Sequence, residues 1–152
     1  MSRREDEKAS RREGPDESYG RSAASARLVM RVQELVIRQP LPDLNALLKA
    51  SASSPYVYSK MKKAAQKIVA LYALEQRFRK ITEPSHFVYL FGEPVANKDP
   101  SNVCAGGIKV VEDALQAMGL LPNDNWKWVL SFTSSWEKSP RPFVKLTVWS
   151  GS

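Results

Sequence analysis

Apolar and polar positions along this chain fall into short blocks with two different periods. Leu28 to Arg38 (LVMRVQELVIR) ends in β-branched residues, which predicts a strand over Gln33 to Arg38. Pro40 and Pro42 then stop any regular element. The stretch PDLNALLKASASSPYVYS reads as a loop with at most one short helical turn. From residue 59 to about Lys80, Met61, Ala64, Ala65, Ile68, Leu71, Tyr72, Leu74 and Phe78 recur mostly at helical spacings and predict an amphipathic helix. His86 to Phe91 (HFVYLF) predicts a strand that Gly92-Glu93-Pro94 ends. In VCAGGIKVVEDALQAMG, Val103, Ile108, Val111, Ala114, Leu115 and Met118 can share one buried side. That predicts a second helix, with Ser101 or Asn102 as its N-cap and Gly119 as its stop. Trp126 to Phe132 and Phe143 to Trp149 predict two strands joined across SSWEKSPRP as a long hairpin. The expected fold is α+β, a small, mixed, mainly antiparallel sheet packed with two helices, and no internal repeat is visible.

Composition narrows what such a domain can do. The 152 residues carry a formal charge of +7 and include one His, His86, and one Cys, Cys104. One domain is expected, over residues 28–152, with no disulfide framework and no zinc site built from Cys and His. The longest apolar runs fall far short of the ~20 residues a membrane helix needs. The first residues lack the apolar stretch of a secretory signal, so a cytoplasmic location is expected.

Residues 1–27 hold 7 basic and 6 acidic side chains with scarcely any large apolar ones, the composition of a disordered tail. The remaining 16 basic and 10 acidic residues put the cationic excess in the folded part. It concentrates in the first helix, where Lys60, Lys62, Lys63, Lys67, Arg77, Arg79 and Lys80 face the single acid Glu75. A solvated outer face and a phosphate-binding face both fit that pattern.

Three acids accompany the second helix: Asp99 before it, Asp113 within it and Asp124 in the loop after it. Asn102, Lys109 and Asp113 are spaced to lie on one stripe. Carboxylates gathered beside a Lys suit a hard divalent cation such as Mg²⁺. Equally, Asp99 can favour a helix dipole, Lys109 and Asp113 can form a surface pair, and Asp124 can serve a turn. Trp126 and Trp128, at alternate positions, are expected to share a strand face in the core or a dimer interface. His86 is read as a strand side chain and Cys104 as a small buried residue.

The run KDPSN, then KVVEDAL with Met118-Gly119, then LPNDNW resembles the RusA-like crossover-junction endodeoxyribonucleases, common in bacteriophage and prophage. QPLPDLNALLK and the Lys-rich helix after it resemble the Pro-x-x-Asn loop and basic helix of phage members, so the likeness spans roughly residues 33–149. It implies a RusA-like fold and a homodimer that cuts four-way (Holliday) or branched DNA junctions with Mg²⁺ in recombination or replication. By position, Asp99 matches the first acid of an Asp-x-Asp-Asn motif and Asn102 its Asn. Lys109 matches the helix Lys, Asp113 the following acid and Asp124 the later one. The resemblance thus implies Asp99, Lys109 and Asp124 as catalytic, and Asp99, Asp113 and Asp124 as metal ligands. Asn45, Lys60, Lys62, Lys63, Lys67, Arg77, Arg79 and Asn102 are the expected DNA contacts. Ser101 stands where the second motif acid is expected, which removes one negative ligand. Asn123 and Asn125 flank Asp124 where further Asp is common. The loop before Lys109 is about four residues longer than the shortest family pattern, and Gly106-Gly107 in it is expected to mark an irregular first turn. The alternative is a branched-DNA binder of the same fold that no longer cuts.

Overall fold

A computed structural model describes residues 30–94 and 98–151, so the tail expected over residues 1–27 lies outside the described residues. The elements are β1 (Arg31–Ile37), α1 (Leu44–Ser53), α2 (Pro55–Glu75), β2 (Ser85–Glu93), α3 (Pro100–Ala117), β3 (Val129–Lys138) and β4 (Phe143–Ser150). Among the described residues the fold is α+β, with three helices and a four-stranded, mainly antiparallel sheet. Among the described residues no helix is long and apolar enough to cross a membrane.

The segment expected as a loop forms two helices instead. Asp43 caps α1 by accepting from Ala46 N–H at 2.7 Å, and the Leu/Ala content of LNALLKASAS favours helix. Ser54 ends α1 and starts α2, its Oγ accepting from Val57 N–H at 3.1 Å, with Pro55 in the first turn of α2. A Ser-rich stretch that looks like punctuation is therefore a pair of caps.

The basic helix stops at Glu75 rather than near Lys80. Arg77 takes a left-handed φ of 55°, and Phe78 N–H closes back onto Ala73 O at 2.9 Å. This is a Schellman-type end built on Arg where Gly is usual, so the stop left no mark in the sequence. Arg77, Arg79 and Lys80 consequently sit on the turn beyond the helix.

The sheet order is β1-β4-β2-β3, with β4 antiparallel to both neighbours and β3 parallel to β2. The expected hairpin between the last two strands is thus absent: β4 inserts between β1 and β2. The cause is α3, a crossover that returns the chain beside β2 in the same direction. Burial agrees with this order, since inward residues of β2 and β4 are buried while most of β3 is exposed. Trp126 and Trp128 precede β3 in a turn, Trp126 exposed and Trp128 half-buried, so they do not share a strand face.

Leu35, Ile37, Phe87, Tyr89, Phe91 and Leu146 project from one sheet face and meet Val69, Val110, Val111 and Leu115 of the helices, forming one core. Helix α3 runs regularly through Gly106 and Gly107, so the expected irregular turn does not form. Both glycines are close-approach sites. A Cβ on Gly106 would overlap the backbone of Pro42 and Asp43, and one on Gly107 would overlap the Phe91 ring. Gly107→Ala is expected to lower stability by about 1–3 kcal/mol through overpacking, and Gly106→Ala by more, because backbone yields less readily than a ring. Urea midpoints of the two variants check this order.

Candidate functional site

Helix α3 distributes the expected site residues along its length. Asp99 is its N-cap: one carboxylate oxygen accepts from Ser101 N–H at 3.0 Å and the other from the Asn102 amide at 3.3 Å. Lys109 is ten residues further on, ~15 Å along the axis at helical rise. The whole of Pro100–Ala117 is regular helix. Asp99, Ser101 and Asn102 are thereby carried away from Lys109 and Asp113.

The C-terminal half of α3 gathers the other groups. Asp113, with a side chain only 13% exposed, meets Lys62 of α2 at 2.9 Å and Lys109 at 3.3 Å. Asp113 keeps the Lys62 ammonium more firmly protonated than usual, against the opposing effect of burial. Lys62 thus turns inward from the cationic stripe on which the sequence placed it. Lys60, Lys63 and Lys67, spaced three and four apart, remain exposed on the outer side of α2. That stripe continues into Leu71 and Leu74, 63% and 67% exposed, so the outer face of α2 is cationic in its middle and apolar at its end. Asn45 is exposed in the first turn of α1.

Glu112 is the residue that sequence reasoning passed over. It accepts a hydrogen bond from the buried Tyr89 hydroxyl at 3.1 Å. Its carboxyl is pushed up from 4.5 to about 7. Burial is the main cause, opposed by the Tyr89 hydroxyl; Asp124 and Asp113 add to the rise and Lys109 counters it. Burial, with help from Glu112, also pushes the Tyr89 hydroxyl well above its ordinary value. The signal for Glu112 was its helical phase: it follows Ile108 by four residues, on the side of α3 that faces β3 rather than on the Asn102–Lys109–Asp113 stripe.

An open groove runs between α3 and β3, lined by Ser101, Cys104, Lys109 and Glu112 from the helix and by Phe132 and Ser134 from the strand. The Cys104 thiol is buried and raised by that burial, consistent with an inert structural cysteine. His86 lies on the open sheet face, stacked on Trp149 with ring centroids 4.2 Å apart.

Among the described residues no three His, Cys, Asp or Glu side chains converge as a metal site. Asp113 is engaged by two lysines, and Asp99 is at the far end of α3. Glu112 and Asp124 remain, close enough for the charge of Asp124 to act on Glu112. Two carboxylates suit Mg²⁺ only in the common arrangement where substrate phosphate and water complete the shell.

The raised Glu112 makes stability depend on pH. In the unfolded chain it ionises near 4.5, in the folded protein near 7. Between these values the folded state holds the extra proton, so stability falls as pH rises across that window. Glu112→Gln keeps an acceptor for Tyr89 and removes the titration. In chelator, the variant is expected to match the native protein near pH 4 and exceed it by about 1–3 kcal/mol above pH 7. Urea titrations at both pH values check it, and parallel pH profiles would count against it.

No protein-family model matches the chain, and no curated protein matches it.

Proposed function

We propose that this protein binds branched DNA, four-way junctions above all, and cuts it as a Mg²⁺-dependent endonuclease. The observation that carries the reading is the Asp113 carboxylate held by Lys109 of α3 and Lys62 of the basic helix, next to Glu112, whose raised carboxyl feels the charge of Asp124. Lys60, Lys63 and Lys67 grip the phosphate backbone, with Arg77, Arg79, Asn45 and Asn102 as further contacts on the helix termini and turns. Asp113 fixes the Lys109 ammonium at the rim of the groove, where it meets a phosphate oxygen and offsets charge developing there. Glu112 and Asp124 would hold the Mg²⁺. A Mg²⁺ held by these two carboxylates would supply an activated water and charge neutralisation. Proton uptake by Glu112 opposes metal binding below pH 7, so cutting is expected to rise with pH.

A second reading, a junction binder that does not cut, is favoured by the separation of Asp99 from Lys109 and by Ser101 in place of an acid. The deciding experiment incubates the protein with a synthetic four-way junction and Mg²⁺ or Mn²⁺. Symmetric nicking supports the enzyme. Salt-sensitive binding without nicking in either metal sinks the enzyme and leaves the binder; no junction binding sinks both.

A further inference from the structure

We infer that the cleft at the end of the sheet, between β1 and the connection from α2 to β2, binds a small phosphate monoester as its dianion. Arg31 and Gln33 precede Leu35 and Ile37 on the inward face of β1, and Ser150 follows Leu146 and Val148 on that of β4. The strand pairs Arg31–Ser150 and Gln33–Val148 therefore carry the core face out to the sheet's end. Positions in that alternation are ordinarily apolar. Here they turn polar and cationic, and a cleft of about 260 Å³ opens beside them.

Residues 79–83 form the other wall, and three ties hold it. The Gln33 amide donates to Arg79 O and accepts from Arg79 N–H, both at 2.9 Å. Ile81 N–H donates to Leu120 O at 2.8 Å, and the hydroxyl of the buried Ser85 donates to Glu83 O at 2.8 Å. Side chains leaving this wall start from fixed positions, which lowers the ordering cost of taking a ligand.

Arg31, Arg79 and Lys80 line the cleft against one acid, Glu83. Glu83 meets Arg31 only at 3.8 Å with both side chains about half exposed, a pair that stabilises little and exchanges readily for a ligand. Among the described residues neither Arg79 nor Lys80 has a carboxylate within salt-bridge reach. Two positive charges are left uncompensated in a concave site, which draws in an anion. A phosphate monoester, with about 1.5 to 2 negative charges at neutral pH, balances them, whereas a phosphodiester brings only a single charge. The two arginines supply planar donors that match phosphate oxygens, and the buried Ser150 lines the same cleft. A volume below the ~300 Å³ at which pockets for larger organic ligands begin suits one phosphate on a small ester group. The cleft shares only Arg79 with the proposed junction contacts, so phosphate binding here does not depend on DNA cutting.

Amide NMR titrations of the full chain with methyl phosphate and with dimethyl phosphate test it. Methyl phosphate is expected to saturate one site with a Kd at or below ~1 mM and dimethyl phosphate to bind at least ~10-fold more weakly. The shifts are expected at residues 31–33, 79–85 and 148–150. Arg79→Gln and Lys80→Gln should each weaken methyl phosphate at least ~10-fold, with the urea midpoint unchanged because both side chains are exposed. Glu83→Gln should tighten it by releasing Arg31, and Lys60→Ala/Lys63→Ala/Lys67→Ala should leave it unchanged. Displacement of methyl phosphate by a 5′-phosphorylated oligonucleotide but not by its 5′-hydroxyl form supports the site with a strand end as its source. Displacement by glycerol phosphate but by neither oligonucleotide supports it with a free metabolite. Absence of saturation by ~10 mM methyl phosphate overturns the inference, as does equal affinity for the two esters. Equal weakening in the triple lysine variant and in Arg79→Gln overturns it too, since binding would then follow the overall basic charge rather than the cleft.

Discussion

Asp124→Asn is expected to reduce nicking of a four-way junction in Mg²⁺ by at least ~10²-fold, because loss of even an outer partner of a metal ligand costs 10- to 100-fold and Asp124 is proposed as a ligand itself. Junction affinity in chelator should stay within about threefold or improve, since the substitution removes a negative charge near the proposed DNA site. The informative partner is Asp99→Asn. Asn and Asp are near-equal helix N-caps, so fold and stability should be kept. With Asp99 ~15 Å along α3 from Lys109, nicking should survive. Loss of nicking in Asp99→Asn, with retention in Asp124→Asn, would place the chemistry at the other end of the helix and overturn the site proposed. A gel assay with one labelled strand of the junction, read at several times, separates these outcomes. Ser101→Asp completes the set: if the chemistry sits at the C-terminal half of α3, adding an acid two residues past the N-cap should leave the rate unchanged.

The contrast between the two aspartates also shows what a linear pattern carries. Helix α3 was legible because apolar residues recur at helical spacing and share a face. The pairing of Lys109 with Asp113 was legible because i and i+4 side chains are neighbours on any helix. The position of Asp99 before the helix and of Asp124 after it was legible too; what was not is that regular helix begins at Pro100, with Asp99 itself as the cap, and runs unbroken through Gly106 and Gly107. Glu112 escaped for a related reason: its partner Tyr89 comes from another strand, and burial of a carboxyl depends on what packs over it. The strand order escaped because a sequence of two strands joined by a Pro-containing segment fits a hairpin. Only the pairing of β4 with β1 on one side and β2 on the other reveals it as central. The end of α2 at Arg77 could not be read from propensity, since the left-handed residue there is held by Phe78 N–H closing onto Ala73 O and by Gln76 bonding Val36 of β1 rather than by a glycine.

Lys60→Ala/Lys63→Ala/Lys67→Ala is expected to weaken junction binding by one to two orders of magnitude near ~0.1 M salt. It should also make the slope of log affinity against log salt shallower by about 3, one unit for each phosphate that a lysine no longer neutralises. Lys62→Ala should behave in the opposite way, although it belongs to the same run of lysines. Its ammonium is committed to Asp113, so removing it changes the salt slope little. The cost falls on stability, by about 1–2 kcal/mol, because a largely buried carboxylate keeps only the exposed Lys109 as its counter-charge. Fluorescence anisotropy of a labelled junction over a salt series, beside urea denaturation of each variant, measures both quantities. Equal loss of slope in the triple variant and in Lys62→Ala would mean that the charge of α2 acts as a diffuse field. An unchanged slope in the triple variant would mean that the stripe is only a solvated helix face. The geometry favours neither of these outcomes: three lysines on one exposed stripe, with no acid between them, repel one another until an anion is bound.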